Sequence, residues 1–288
     1  MIVGITGAGG QLGGALVQYA LGRTAASNIV AITRNPEKLE AFLKQGVQVR
    51  AGDFNDGAGL KAAFAGVERL IIIPTTDLTP GVRIRQHTNA IQAAKDAGVS
   101  HAIYISTVSP RPDSENMLLD SHFATEQALI GSGLQWTLLR MSVYMDTLAD
   151  GAKKAVASGT YAAIPGAPAA YVTRDDLAAA AAGLLCSAGH AGITYHATGR
   201  VSVTQQEIAD TIAKISGKPI AFSATTQEQQ RAGLEAAKLP LFVVNSVVGF
   251  YAALRAGAFD LVTGDVERLA GKAAELPAEF LRKALRAG

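Results

Sequence analysis

With 288 residues, 49% hydrophobic and 17% charged, the chain is long enough for one large core or for a core with a smaller lobe attached. The formal net charge of +2 is spread without a basic run, which argues against a nucleic-acid partner, and the lone cysteine, Cys186, allows no internal disulfide and points to a reducing compartment, the cytoplasm. The five histidines show no metal-ligand spacing, no G-x-S-x-G elbow occurs, and glycine and threonine interrupt the N-terminus too early for a signal peptide.

In chain order, the apolar runs IVGIT, IVAIT (29–33), VQVR (47–50), RLIIIP (69–74), HAIYIS (101–106) and QWTLLR (135–140) read as strands. Helical patterns near 11–22, 36–45, 57–65, 82–97 and 120–131 lie between them. Uniformly apolar strands separated by helices predict a doubly wound parallel α/β sheet with helices on both faces. Asn35 before Pro36 predicts a capped helix start, and Gly98 a helix end. After about residue 145 the alternation weakens: a helix over 147–158, an irregular SGTYAAIPGAPAAYVT, an alanine-rich helix from RDDL, a short strand near 193–198, then mainly helical sequence. The segment 241–259 is nearly long enough for a membrane span, but Asn245, Ser246 and Arg255 interrupt it, so it reads as a buried or interface helix. The expected organisation is a sheet domain over 1–146 and a small, mainly helical C-terminal lobe over 147–288, interleaved with the sheet and joined to it by no Gly/Ser/Pro linker.

The stretch TGAGGQLGGALVQ (6–18) follows the first strand and opens the first helix. A dinucleotide fold needs glycine there for a tight bend, for backbone approach to a pyrophosphate and for helix packing, and Gly7, Gly10 and Gly13 stand where those three needs fall. The helix beginning near Gln11 would aim its free N–H groups and positive dipole end at the phosphates. At the end of the second strand an NAD site places Asp or Glu; this chain has Thr33 and Arg34, and Arg34 suits the 2′-phosphate of NADPH unless it is an exposed loop charge. Lys38 adds long-range attraction or is a solvated surface lysine. Asp53 and Phe54 would border the adenine, and Pro74, Thr75 and Thr76 would pass beneath the adenosine and ribose.

The ordered motifs GITGAGGQLGGALV, IVAITRNPEK, VQVRAGDFND, AKDAGVSHAIYIS, HFATE, TLLRMSVYMD and VTRDDLAAAAA resemble those of the NmrA-like, atypical short-chain dehydrogenase/reductase family, most of all its bacterial NADPH-dependent quinone oxidoreductase and triphenylmethane reductase branch. The resemblance implies a Rossmann-type, NADP-binding domain over 1–146 with a small C-terminal substrate lobe over 147–288, NADPH binding and hydride transfer to a quinone-like or conjugated aromatic acceptor. It places the cofactor on Gly7, Ala8, Gly9, Gly10, Gln11 and Leu12, on Arg34, Asp53 and Phe54, on Pro74 to Thr76, and on Met141, Ser142, Val143 and Tyr144 in the segment ending at Asp146. Arg174 matches a cleft position; alternatively it is a helix-start residue paired with Asp175 or Asp176. Met141 departs from the family, whose members tend to have Asn after LLR, so any amide hydrogen bond from that position is lost.

The chain has no Tyr-x-x-x-Lys pair. Its region reads SHFATEQA, with His122 and Glu126 at i, i+4 spacing, which reads either as a general acid poised by a carboxylate or as a packing and capping pair. Hydride transfer to an isolated ketone builds an alkoxide that needs a donor, whereas a quinone gives a stabilised phenolate and a cationic dye needs no proton. A site without Tyr/Lys therefore matches such small-molecule acceptors. His122 and Tyr144 are the residues expected at the reacting end, with Tyr144 and Met145 walling the acceptor and Tyr171 and Phe250 or Tyr251 reaching in from the lobe. The rival expectation is a non-catalytic NADP(H)-binding redox sensor. Neither reading calls for a metal, nucleic acid or membrane, and both allow a homodimer.

Overall fold

The six apolar runs and the short strand near 193 pair side by side in the computed structural model, which describes residues 1–113 and 116–286. The strands are β1 (Val3–Ile5), β2 (Ile29–Thr33), β3 (Gln48–Ala51), β4 (Arg69–Ile72), β5 (His101–Thr107), β6 (Gln135–Met141), β7 (Thr160–Ala163), β8 (Ile193–Ala197) and β9 (Ala221–Ala224). All but β7 and β9 form one sheet in the order β3-β2-β1-β4-β5-β6-β8, parallel throughout. The order turns back on itself between β1 and β4, so a crevice opens beyond their C-terminal ends.

The helices of the first half are α1 (Gln11–Leu21), α2 (Glu40–Leu43), α3 (Gly57–Ala63), α4 (Val82–Asp96) and α5 (Met117–Ile130); those of the second are α6 (Leu148–Ser158), α7 (Arg174–Cys186), α8 (Gln205–Ser216), α9 (Gln227–Ala236), α10 (Leu241–Arg255), α11 (Asp265–Ala270) and α12 (Pro277–Arg286). β1, β2, β4 and β5 are buried along their whole length because helices cover both faces. On one face Leu16 and Val17 of α1 pack with Leu177 and Leu184 of α7 and Leu269 of α11. On the other, Leu60 of α3, Ile91 of α4 and Leu129 of α5 close over Ile72, Tyr104 and Leu138. A third core, built from Leu148, Tyr161, Ile208, Phe259 and Leu281, belongs to the lobe. The chain after residue 146 nevertheless returns to the sheet: α7 lies against α1, and β8 pairs with β6.

Three expectations need correction. The segment 36–45 is not one helix: a 3-10 turn over Pro36–Leu39 precedes the single turn of α2. Asn35 makes no side-chain cap there, and its own N–H donates to Thr33 Oγ1 instead (3.3 Å). β7 falls in the stretch read as irregular and β9 in the stretch read as helical, and the two pair with each other in parallel as a small second sheet. Only Tyr161 of their eight residues is buried, so neither carries a strong alternating pattern. Third, α5 begins at Met117, one turn early, because Asn116 accepts the cap bond from Leu119 N–H. The apolar segment from 241 is helix α10, which buries Val244, Val248 and Leu254 and exposes Leu241; among the described residues no helix is long and apolar enough to cross a membrane.

The α1/α7/α11 layer depends on Gly183. A Cβ at that position would sit 1.9 Å from the carbonyl oxygen of Leu269, a backbone atom that cannot swing away. Gly183→Ala should therefore destabilise the protein by about 1–3 kcal/mol, read as a lower urea midpoint with an unchanged slope; an unchanged midpoint would show that α11 can shift freely.

Candidate active site

The glycine turn is tied down from below. Thr6 Oγ1 donates to Ile71 O (3.2 Å) and accepts from Ile73 N–H (2.9 Å), joining the ends of β1 and β4, while Ala8 N–H donates to Ile32 O (3.0 Å). Gly7 takes the left-handed φ of +63° that makes the bend. At Gly13 a Cβ would lie 2.2 Å from Gly7 O, so only glycine lets α1 approach the turn. Gly10 occupies the cap position of α1, which has no side-chain cap bond and no acidic residue in its first turn. By contrast, α3, α5, α7, α8 and α9 are each capped by an Asp, Asn or Thr side chain. Among the described residues, no side chain takes the first N–H groups of α1, the groups that a helix start offers to an anion.

One cleft of about 1020 Å³ runs from this turn into the lobe. Gly7, Gly9, Gly10, Gln11, Leu12 and Gly13 line it; Ala8 does not, because its side chain is buried in the core beneath the turn. At the outer end Arg34 and Lys38 are exposed on the rim, and among the described residues neither has an ion-pair partner. Asp53 and Phe54 face them; Asp53 Oδ1 accepts from Asn55 N–H (2.9 Å), and the Phe54 ring stands edge-on to His87.

Pro74, Thr75 and Thr76 form the floor, held by a buried polar chain that spans α4, β5 and α5. Thr75 N–H donates to His87 Nε2 (3.0 Å), which leaves His87 Nδ1–H to donate to Thr125 Oγ1 (2.9 Å). Arg83 donates from Nη1 to Thr75 O and from Nη2 to His122 Nε2 (2.9 Å), so His122 carries its proton on Nδ1 and donates it to Tyr104 Oη (2.9 Å). Burial first, then the Arg83 charge, holds His122 well below the ordinary histidine pKa and pushes His87 down to about 3. The expected His122–Glu126 pair is not formed: Glu126 turns to Arg140, which grips both its oxygens (2.9 and 2.6 Å). Helical i, i+4 spacing allowed the pair, but each side chain has a stronger cationic partner from outside the helix. His122 does line the cleft, as a neutral imidazole.

Met141, Ser142, Val143 and Tyr144 leave the end of β6 along the inner wall. Ser142 N–H donates to Ala197 O (2.9 Å), and Tyr144 bridges to Val172. Arg174 pairs with neither Asp175 nor Asp176. It binds Asp146 through its side chain (2.9 Å) and its backbone N–H (2.9 Å), and its guanidinium lies 4.9 Å above the Tyr144 ring. Burial pushes the Tyr144 hydroxyl up to about 12. Met145 leaves the wall and is fully buried in the core of the lobe, because the 3-10 turn that follows Tyr144 points it inward. Tyr171, Phe250 and Tyr251 reach the cleft from the lobe, joined by Leu148, Tyr161 and Gln205. Gln205 accepts from Tyr161 Oη–H (2.8 Å) and donates to Tyr171 Oη (2.6 Å), fixing both rings. The sequence reading missed Arg83, Gln86 and Gln205; the available signal was Arg83, Gln86 and His87, polar residues on the face of a helix that must cover the sheet.

Residues 7–187 match the model of the NAD(P)H-binding family. The chain belongs to that family. It is 37% identical over 241 residues to quinone oxidoreductase 2 of Escherichia coli, 83% of each chain. The structure of the NADPH complex of that enzyme superposes with a TM-score of 0.91 at 33% identity, covering 99% of this chain and 100% of the other. The Citrobacter sp. triphenylmethane reductase complexed with NADP(H) superposes at 0.90 and 32% identity with the same coverage. An NmrA-like family domain-containing oxidoreductase of Aspergillus flavus is 35% identical over 146 residues, 49% of this chain and 48% of its own length. The chain is an NAD(P)H-dependent oxidoreductase.

The buried imidazoles make stability fall in acid. His87 stays neutral in the fold down to about pH 3, while the unfolded chain binds that proton below about pH 6.5. Stability is therefore lost as pH falls through that window, by about 1.4 kcal/mol per pH unit for this one group. Urea unfolding at pH 7 and pH 5 should show a loss of about 2 kcal/mol or more in the wild type and a smaller loss in His87→Gln. Equal stability of the wild type at the two pH values would contradict the neutral, buried assignment.

Proposed function

We propose that the protein is an NADPH-dependent reductase of quinones or related conjugated aromatic acceptors. The observation that carries this reading is this cleft. It has a helix N-terminus at a glycine turn with no side-chain cap, an arginine without an ion-pair partner among the described residues, no carboxylate where the second strand ends, and an aromatic wall with no Tyr-x-x-x-Lys pair. The likeness to quinone oxidoreductase 2 and to triphenylmethane reductase supports it.

In this reading the N–H groups at the start of α1 hold the pyrophosphate and Arg34 holds the 2′-phosphate, with Lys38 nearby. Asp53 and Phe54 border the adenine, and the Pro74–Thr76 floor carries the ribose. NADPH, when bound, supplies the hydride. Met141 to Tyr144 and the rings from the lobe set the acceptor flat against the reacting face and keep water from it. His122, neutral and with Nε2 already occupied by Arg83, shapes the reacting end without acting as a general acid, and solvent supplies any proton the reduced acceptor needs. Tyr144, with its hydroxyl protonated at all working pH values, packs against the acceptor.

A charge-assisted hydrogen bond is worth about 1.5–3 kcal/mol, roughly 10- to 150-fold in affinity. Titration calorimetry should show Arg34→Asp weakening NADPH binding by about that factor and NADH binding by far less; equal losses would remove Arg34 from the phosphate. NADPH oxidation, followed by absorbance with a panel of benzoquinones, naphthoquinones and cationic dyes, should be acceptor-dependent. No turnover with any of them would leave the redox-sensor reading instead.

A further inference from the structure

Arg83 is a buried cation without a counter-ion. Its residue is 7% exposed, it lines the cleft, and among the described residues no carboxylate pairs with it. Its Nη1 and Nη2 go to the neutral acceptors Thr75 O and His122 Nε2, and among the described residues its Nε–H has no acceptor. The carboxylates that could have neutralised it are committed elsewhere: Glu126 to Arg140, Asp146 to Arg174, and Asp53 to the amide groups of Asn55. Desolvating an unpaired guanidinium costs several kcal/mol, and such a charge persists where it is used.

We propose that Arg83 is the specificity-determining residue for acceptor charge, favouring acceptors that gain negative charge on reduction over acceptors that lose positive charge. This rests on the reductase reading. A quinone that accepts hydride becomes a hydroquinone monoanion, leaves NADP⁺ behind and takes one proton from solvent. A cationic triarylmethane that accepts hydride becomes a neutral leuco compound and takes no proton. A fixed positive charge in a low-dielectric cleft lowers the barrier of the first reaction and raises that of the second. Quinones are thus the preferred class, and cationic dyes are disfavoured despite the shared fold.

The test compares wild type, Arg83→Gln and Arg83→Lys. In Arg83→Gln, kcat/KM for a neutral naphthoquinone should fall on the order of tenfold or more, while that for a cationic triarylmethane dye stays level or rises; Arg83→Lys should keep most of the quinone activity. A second readout needs no turnover. With NADP⁺ present, wild type should draw a nitrophenol into its coloured phenolate form below the pH at which it ionises in buffer, and Arg83→Gln should not. Equal losses for both acceptors, an unshifted nitrophenol in the wild type, or a matching loss of NADPH affinity, which would assign the guanidinium to the cofactor, would each overturn the inference. If wild type reduced no acceptor, the reductase reading would fail, and the nitrophenol shift alone would decide the role of Arg83.

Discussion

The close approach of α1 to the turn before it is the constraint on which the rest of the site depends. Gly13 has room for no side chain against Gly7 O, and Gly7 bends back with a positive φ, so the helix axis points at the crevice from directly beneath it. The turn is pinned to the exits of β2 and β4 by the Ala8 and Thr6 hydrogen bonds, which makes its position a property of the sheet. The open end of α1 then suits an anion, as proposed, because among the described residues no side chain caps it. The other walls are placed relative to that point: Arg34 one strand to one side, the Pro74–Thr76 floor to the other, and the Met141–Tyr144 segment two strands further on.

The floor shows a second principle. A chain of five polar side chains, Arg83, His122, Tyr104, His87 and Thr125, is buried between α4, β5 and α5 and ends on the backbone of Thr75. Nearly every donor finds an acceptor, and the guanidinium dictates the protonation of the imidazole it touches. Such a network makes the floor rigid and leaves one charge inside the cleft. In the proposed reaction, catalysis relies on alignment and a fixed electrostatic field, which suits acceptors whose reduced forms are stable before they are protonated.

Much of this was legible in the sequence because it depends on local signals. The six strands of the first half, the glycine turn and Arg34 are each specified within a few residues, and the parallel order follows from apolar strands joined by helical crossovers. Several of the failures share a cause: they involve partners far apart in the chain. β7 and β9 are strands only because they pair with each other across some sixty residues, and neither has an apolar run of its own. Glu126 and Arg174 were assigned neighbours at helical or adjacent spacing, but the packing gave them Arg140 and Asp146. Arg83 drew no attention because a lone arginine in a helix reads as a surface charge until the helix is seen to lie over the floor of the cleft. Met145 was misplaced for the converse reason, since a 3-10 turn shifts side-chain direction within a single residue.

The most direct test of the account is a crystal structure of the protein with NADPH and an unreactive quinone analogue. The account predicts the pyrophosphate on the N–H groups at the start of α1, the 2′-phosphate within hydrogen-bond distance of Arg34, and the quinone carbonyl on the side of the nicotinamide nearest Arg83 and His122. A 2′-phosphate turned away from Arg34, or a nicotinamide lying outside the cleft between His122 and Tyr144, would contradict it.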